Sequence, residues 1–222
     1  MGTLYLVRHG QASFGADNYD QLSARGVQQS VRLGEYFAHK DIAFEAAMTG
    51  TLQRQIQTFA GICQGAGIKT QALTFPGLNE YDSAAVIESI HPQVLAKPDT
   101  PELYRHHFRL LRDGLTQWMN GAVSPRGMPS YSQFVDNIAA VLDHVRKTFE
   151  GNVLLVSSGG PIATAVGQVL GTSPLTTIEM NLRIRNSAVT EFVFNPKRYS
   201  LLTFNTLPHL DAATYADWVT YA

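Results

Sequence analysis

Only one cysteine, Cys63, occurs in the 222 residues, so the chain can close no disulfide on itself. A reducing compartment is the simplest expectation, and Cys63, in a helical and apolar stretch, reads as a small core residue. Charge is sparse and balanced. Charged residues make up 16% and the net charge is -1, which argues against a nucleic-acid or polyanion partner while leaving room for a local basic pocket. No run of about 18 apolar residues is present, so neither a membrane-spanning helix nor a membrane partner is expected. The N-terminus lacks a basic segment leading into an apolar core and a small-residue cleavage site, which makes the cytoplasm the default location. The seven histidines form no HExxH pattern, so no metal site is expected and no cofactor is required. GxSxG, the P-loop pattern and GxGxxG are also missing, which disfavours serine hydrolases, P-loop NTPases and dinucleotide-binding enzymes.

What remains is an ordinary globular composition, 45% apolar, at a length that suits one large α/β domain over residues 1–222. Roughly 70% of the unfolded surface is buried at this size, enough for a core without crosslinks. The run Leu4-Tyr5-Leu6-Val7 predicts a buried first strand. Ser23, ahead of a periodic stretch carrying Val27, Val31, Leu33, Tyr36 and Phe37, predicts a capped helix. Further strands are expected at 42–49, 71–75 and 153–156, and helices at 52–62, 103–119, 133–149 and 162–170. Leu52, Ile56 and Phe59 are expected on one face of the 52–62 helix. In 103–119 the core face is expected to be Tyr104, Phe108, Leu111, Leu115 and Trp118, while Arg105, Arg109 and Arg112 read as a solvated, ion-paired face. Residues 189–194 and 200–204 read as a hairpin around Asn195-Pro196. Strands alternating with helices predict a three-layer α/β/α fold with a mostly parallel central sheet and that hairpin at its edge. The segment from about 84 to 129 reads as a helical insertion, a lid or substrate-selecting cap.

Four predicted strands each end in polar or charged residues. Arg8-His9-Gly10 follows the first, Thr49-Gly50-Thr51 and then Arg54 the second, Leu78-Asn79-Glu80 the third, and Ser157-Ser158-Gly159-Gly160 the 153–156 strand. In a parallel sheet these ends share one edge, where open α/β sheets bind ligands. Two arginines can hold a phosphoryl group by forked, charge-assisted hydrogen bonds. Their charge keeps a neighbouring imidazole neutral and nucleophilic, and a backbone carbonyl on its other nitrogen would fix the tautomer. Glycines at the next helix start let backbone N–H groups approach a phosphate. Glu80 can protonate a leaving oxygen and then deprotonate water.

Leu6-Val7-Arg8-His9-Gly10 resembles the signature of the histidine phosphatase superfamily, also called phosphoglycerate mutase-like. Leu22-Ser23-Ala24-Arg25-Gly26-Val27-Gln28, Met48-Thr49-Gly50-Thr51-Leu52-Gln53-Arg54 with Thr58, Leu78-Asn79-Glu80 and Val156-Ser157-Ser158-Gly159-Gly160 resemble further elements of that family, in its order, from residue 4 to about 205. The resemblance implies that His9 is transiently phosphorylated, that Arg8 and Arg54 bind phosphate, and that Glu80 is the proton donor. Ser158 and Gly159 are expected as further phosphate contacts. Two positions depart from the pattern: Ser158 stands where the family usually has a second histidine, and Gly15 where it commonly has asparagine. A serine brings no positive charge, and losing one preorganised donor costs on the order of 10²–10³ in rate. Arg183, Arg185, Arg25 and His107 are candidate compensating cations, and Ser13 and Asn18 candidate replacements for the asparagine. The function expected is hydrolysis of a phosphorylated small molecule through phospho-His9. The alternatives are a catalytically weak phosphate- or partner-binding member and, as the weakest reading, a mutase-type phosphotransferase. Oligomeric state is left open.

Overall fold

The computed structural model describes residues 1–13, 20–93, 95 and 100–221. Its centre is a six-stranded sheet in the order β3-β2-β4-β1-β5-β6. The strands are β1 (Gly2–Arg8), β2 (Ala46–Thr49), β3 (Leu73–Thr74), β4 (Asn152–Ser157), β5 (Val189–Asn195) and β6 (Arg198–Thr206). The first four are mutually parallel. β5 runs antiparallel to β1, and β6 antiparallel to β5, which places the hairpin at the edge as expected.

Alternation along the central strands builds two apolar layers. Leu4 and Leu6 of β1, with Val153 and Leu155 of β4, face one side; Val7, Leu154 and Val156 face the other. The second side is covered by α1 (Ala24–His39) and α2 (Gln53–Ala66) through Leu33, Phe37, Phe59 and Ile62. The first side is covered mainly by α5 (Tyr131–Thr148) and α6 (Gly159–Leu170), with α4 (Pro101–Met119) adding Leu111, Leu115 and Trp118. The short helices α3 (Ser83–Glu88) and α7 (Pro174–Asn181) flank α4. This is an α/β sheet with helices on both faces. Leu154 and Leu155 are fully buried, and truncating either to alanine would cost about 2–5 kcal/mol.

Local chemistry explains where the elements begin. Ser23 accepts a hydrogen bond from the Gly26 N–H at 3.1 Å and starts α1. α1 and α2 then approach until their backbones touch. A Cβ on Gly34 would stand 2.1 Å from the Ile62 carbonyl oxygen, and one on Gly65 1.9 Å from that of Val31. This close packing fixes the height of α2 above the sheet, and with it Arg54 in its first turn.

Several expectations shift. β2 begins only at Ala46, and β3 shrinks from 71–75 to two exposed residues, because an edge strand with little to bury is held only by its pairing to β2. The buried face of α2 is Arg54, Gln55, Thr58, Phe59 and Ile62, while Ile56 is exposed. The first turn of α2 looks onto the strand ends, so its inward side is polar. On α4, Leu111, Leu115 and Trp118 are buried as expected, but Tyr104 and Phe108 are 38% and 37% exposed. The C-terminal half of the helix packs on the body, Trp118 lying edge-on to Tyr131 of α5 at 5.2 Å, while Tyr104 and Phe108 in the N-terminal half stay partly open. Among the described residues no helix is long and apolar enough to cross a membrane.

Candidate active site

The C-terminal ends of the parallel strands open into a cleft of about 140 Å³. Arg8, His9, Arg54 and Glu80 all line it. The pairing of Arg8 with Ser157 aligns the ends of β1 and β4, and Thr49 pairs with both Val156 and Thr74, so the parallel edge does bring distant segments together.

His9 follows β1 directly. Its backbone N–H donates to the Ser157 carbonyl at 2.9 Å, and its own carbonyl accepts from the Ser187 N–H at 3.2 Å, which anchors the His9 backbone between the end of β4 and the residues leading into β5. Nδ1 stands 2.7 Å from the Gly10 carbonyl oxygen. A carbonyl only accepts, so Nδ1 carries the proton and Nε2 keeps its lone pair. Nε2 accepts from the Arg54 Nε–H at 3.2 Å. Burial, with the charges of Arg8 and Arg54 added, holds the imidazole well below its ordinary pKa. The ring is therefore neutral across the physiological range.

Thr58 ties this strand end to α2: its Oγ1 accepts from the Gly10 N–H at 2.9 Å and donates to the Arg54 carbonyl at 2.7 Å. Arg54 is 7% exposed and meets the Asp20 carboxylate at 2.8 Å. The same carboxylate accepts from the Gln53 N–H at 2.9 Å. Leu52, at the helix start, has no side-chain cap, so Asp20 supplies the cap from outside the helix. Arg8 is 5% exposed and donates to the Ile184 carbonyl.

Glu80 is held at the N-terminus of α6. The Gly160 N–H donates to its two carboxylate oxygens at 3.0 and 3.1 Å, and the Tyr81 N–H reaches one of them at 3.3 Å. Burial raises its pKa; the Gly160 bond and the two arginines pull it back only in part. The glycine pair thus has a different use from the one expected for Gly160, whose N–H goes to the protein's own carboxylate instead of a phosphate.

Ser158 is fully buried and does not line the cleft, and neither does Gly159. Ser158 occupies the N-cap position of α6 without making a side-chain cap bond. Its Oγ instead accepts from Gln55 Nε2 at 2.9 Å, and that amide also donates to the Leu78 carbonyl at 3.0 Å. None of the four candidate compensating cations lines the cleft. Arg25 stacks over the Trp218 ring at 4.7 Å, Arg185 bonds Asn205, Arg183 is exposed, and His107 lies on α4. The Ser13 N–H is bonded to the Gln21 carbonyl at 2.8 Å, while Gly15 and Asn18 lie outside the described residues.

Asp20, Gln55, Tyr81 and Asn181 were not singled out by sequence. Asp20 and Gln55 act through bonds to residues 34 and 103 positions away, for which no local pattern exists. Tyr81 and Asn181 line the cleft and are joined by an Nδ2–H to Oη bond of 2.8 Å. Adjacency of Tyr81 to Glu80 was the one available signal. Among the described residues no group of three or more His, Cys, Asp or Glu side chains is placed to hold a metal ion.

A neutral imidazole with a defined tautomer, two buried arginines and a carboxyl of raised pKa thus converge on one cleft. The chain matches the histidine phosphatase superfamily (branch 1) over residues 4–207 and belongs to that family. Similar solved structures include a phosphoserine phosphatase mutant from Entamoeba histolytica in complex with phosphoserine, 19% identical, with a TM-score of 0.65, covering 95% of this chain and 100% of that one. Another is the α-ribazole phosphatase from Shigella flexneri, 17% identical, TM-score 0.62, covering 92% and 96%. A third is a mycobacterial glucosyl-3-phosphoglycerate phosphatase, 18% identical, TM-score 0.65, covering 93% and 99%. At these identities the likeness speaks for the fold. No curated protein gives a significant sequence match.

Proposed function

We propose that the protein is a phosphatase that hydrolyses a phosphomonoester of a small molecule through phospho-His9. The observation that carries this reading is the His9 ring: Nδ1 bonded to the Gly10 carbonyl and Nε2 turned to Arg54 in a cleft that Arg8 and Glu80 also line. Nε2 attacks phosphorus while Arg8 and Arg54 bind the non-bridging oxygens. The bond to the ester oxygen breaks, and that oxygen takes the proton of the Glu80 carboxyl as the alcohol leaves. Glu80, now a carboxylate, takes a proton from water as the water oxygen attacks the phosphoryl group. The N–P bond breaks, inorganic phosphate departs, and neutral His9 and protonated Glu80 are restored. In the resting protein Nε2 is occupied by the Arg54 N–H, so the phosphoryl oxygens must draw the guanidinium away as the ester enters. The similar structures include a phosphatase holding phosphoserine, which supports a small phosphorylated substrate. We also read 1–222 as one domain in which 84–129 forms a cap, since Phe108 and Leu111 of α4 line the cleft.

The test is a phosphoester screen in metal-free buffer with wild type beside His9→Ala, together with trapping of acid-labile phosphate. The reading requires label on His9 in the wild type only; a His9→Ala protein that hydrolyses as fast as wild type refutes it.

A second reading, a weakly catalytic phosphate- or partner-binding member, is favoured by Ser158. By the family resemblance it takes the place of a second histidine, and its hydroxyl is bonded to Gln55. Under that reading vanadate protects the fold from heat while turnover stays near background. A histidine at 158 would have to displace the Gln55 amide, so the informative variant is Ser158→His with Gln55→Ala. A large gain in turnover would favour the weakly catalytic reading.

A further inference from the structure

We infer that the cleft selects phosphomonoesters whose organic part is uncharged and apolar, such as an arylalkyl group, over esters that carry a second acid. The inference rests on the phosphatase reading of His9 and concerns what the remainder of the cleft holds.

The cleft has two chemically different walls. One is the phosphoryl end around His9. The other is built from Phe108 and Leu111 of α4, Leu182 just after α7, and Tyr81. Its further polar lining, Ser83 and Asn181, is neutral, and the Asn181 amide already donates to Tyr81. Among the described residues that line the cleft, Arg8 and Arg54 are the only cations. Both belong to the phosphoryl end, Arg54 against His9 Nε2 and Asp20, Arg8 against the Ile184 carbonyl.

The arginines of α4 do not supply the missing charge. Arg105 pairs with Glu102 at 2.5 Å and Arg112 with Glu179 at 2.9 Å, while Arg109 is exposed and outside the lining. A carboxylate carried to the apolar wall would therefore lose water without gaining a counter-charge. A phenyl group there would instead cover Phe108, Leu111 and Leu182. Phe108 is 37% exposed although it lies on the same helix as the buried Leu111 and Leu115. A large aromatic left open at the mouth of a cleft with convergent polar groups marks the surface a ligand covers.

The experiment compares 2-phenylethyl phosphate with O-phosphoserine and 3-phosphoglycerate. All three are esters of primary alcohols, so leaving-group chemistry is nearly matched. Wild type is expected to favour the phenylethyl ester in kcat/KM by about tenfold or more, the scale of discrimination by an apolar pocket. Phe108→Arg is expected to move that ratio toward the acidic esters by a similar factor. Phe108→Ala, a truncation at a partly exposed position, should narrow it several-fold if the arginine variant fails to fold. A wild type that prefers an acidic ester, or a ratio unmoved by folded Phe108 variants, overturns the inference.

Binding to the His9→Ala protein separates the two readings. Phenylphosphonate is expected to bind more tightly than phosphonoacetate by calorimetry. If no ester is hydrolysed by wild type but that order of affinity holds, the phosphatase reading falls and the selectivity stands. Equal or reversed affinities overturn the selectivity whatever the activity.

Discussion

β1 and β4 lie side by side and end in register, Arg8 opposite Ser157, so His9 and Ser158 leave the sheet at the same level. Their fates differ. His9 opens its ring to the cleft between two arginines, and its neighbours set the tautomer. Ser158 turns its hydroxyl to the Gln55 amide, fully buried and away from the cleft wall. The edge of a parallel sheet thus offers equivalent backbone positions, and what a position contributes is decided by the side chain that packs beside it. Beside His9 stands a guanidinium whose charge adds to burial in keeping the imidazole neutral. Beside Ser158 stands an amide that takes the hydroxyl into the interior.

Removing the imidazole breaks the comparison most severely. His9→Ala should lower kcat/KM by about 10³-fold or more and abolish labelling of the protein by the substrate phosphate. Glu80→Gln follows, because an amide cannot give up the proton. The loss should reach roughly 10²-fold for alkyl phosphates and be much smaller for p-nitrophenyl phosphate, whose leaving group needs no acid. Equal losses for both esters would place Glu80 outside proton transfer. Ser158→Ala sharpens the contrast from the other strand. It strips an acceptor from the buried Gln55 amide, so about 1–3 kcal/mol of stability should go in denaturant titration, with turnover changed by less than about tenfold. A hundredfold loss of turnover in a folded Ser158→Ala protein would give that hydroxyl a direct part at phosphorus.

The smallest effect concerns pH. His9 is held well below its ordinary pKa, and buried His209 is pushed down to about 3. The unfolded chain therefore binds more protons than the folded one below about pH 6.5, and stability should fall as pH drops through that range. Glu80, with its raised pKa, acts with opposite sign: the folded chain holds its proton longer, so its contribution is present at low pH and fades as pH rises through the raised value. Thermal melts of His209→Gln between about pH 4 and 7 should show a shallower acid loss than wild type.

Much of the site was legible because strand ends are legible. Alternating or β-branched runs identify β1 and β4, and the residues just past them inherit a common edge from the parallel topology. That logic reached Arg8, His9, Arg54 and Glu80. It failed where a side chain's partner lies far away in sequence. The Asp20 cap on α2, the Gln55 bond to Ser158 and the Gly160 bond to Glu80 leave no trace in periodicity. It also failed where periodicity was read as burial. Ile56 and Phe108 sit in apolar rhythm on their helices, but a helix that starts at a strand end, or overhangs a cleft, turns part of that rhythm toward water or ligand.

Gly160 has no chemistry of its own, yet a Cβ there would stand 2.2 Å from Glu80 Oε1 and 2.6 Å from the Tyr81 ring. One inert methyl group at this position would push the carboxyl off its mount and, under the proposed mechanism, weaken the proton donor. A sequence in which His9, Arg54 and Glu80 all survive could therefore still encode a silent protein, through a substitution that a catalogue of reactive residues would pass as harmless.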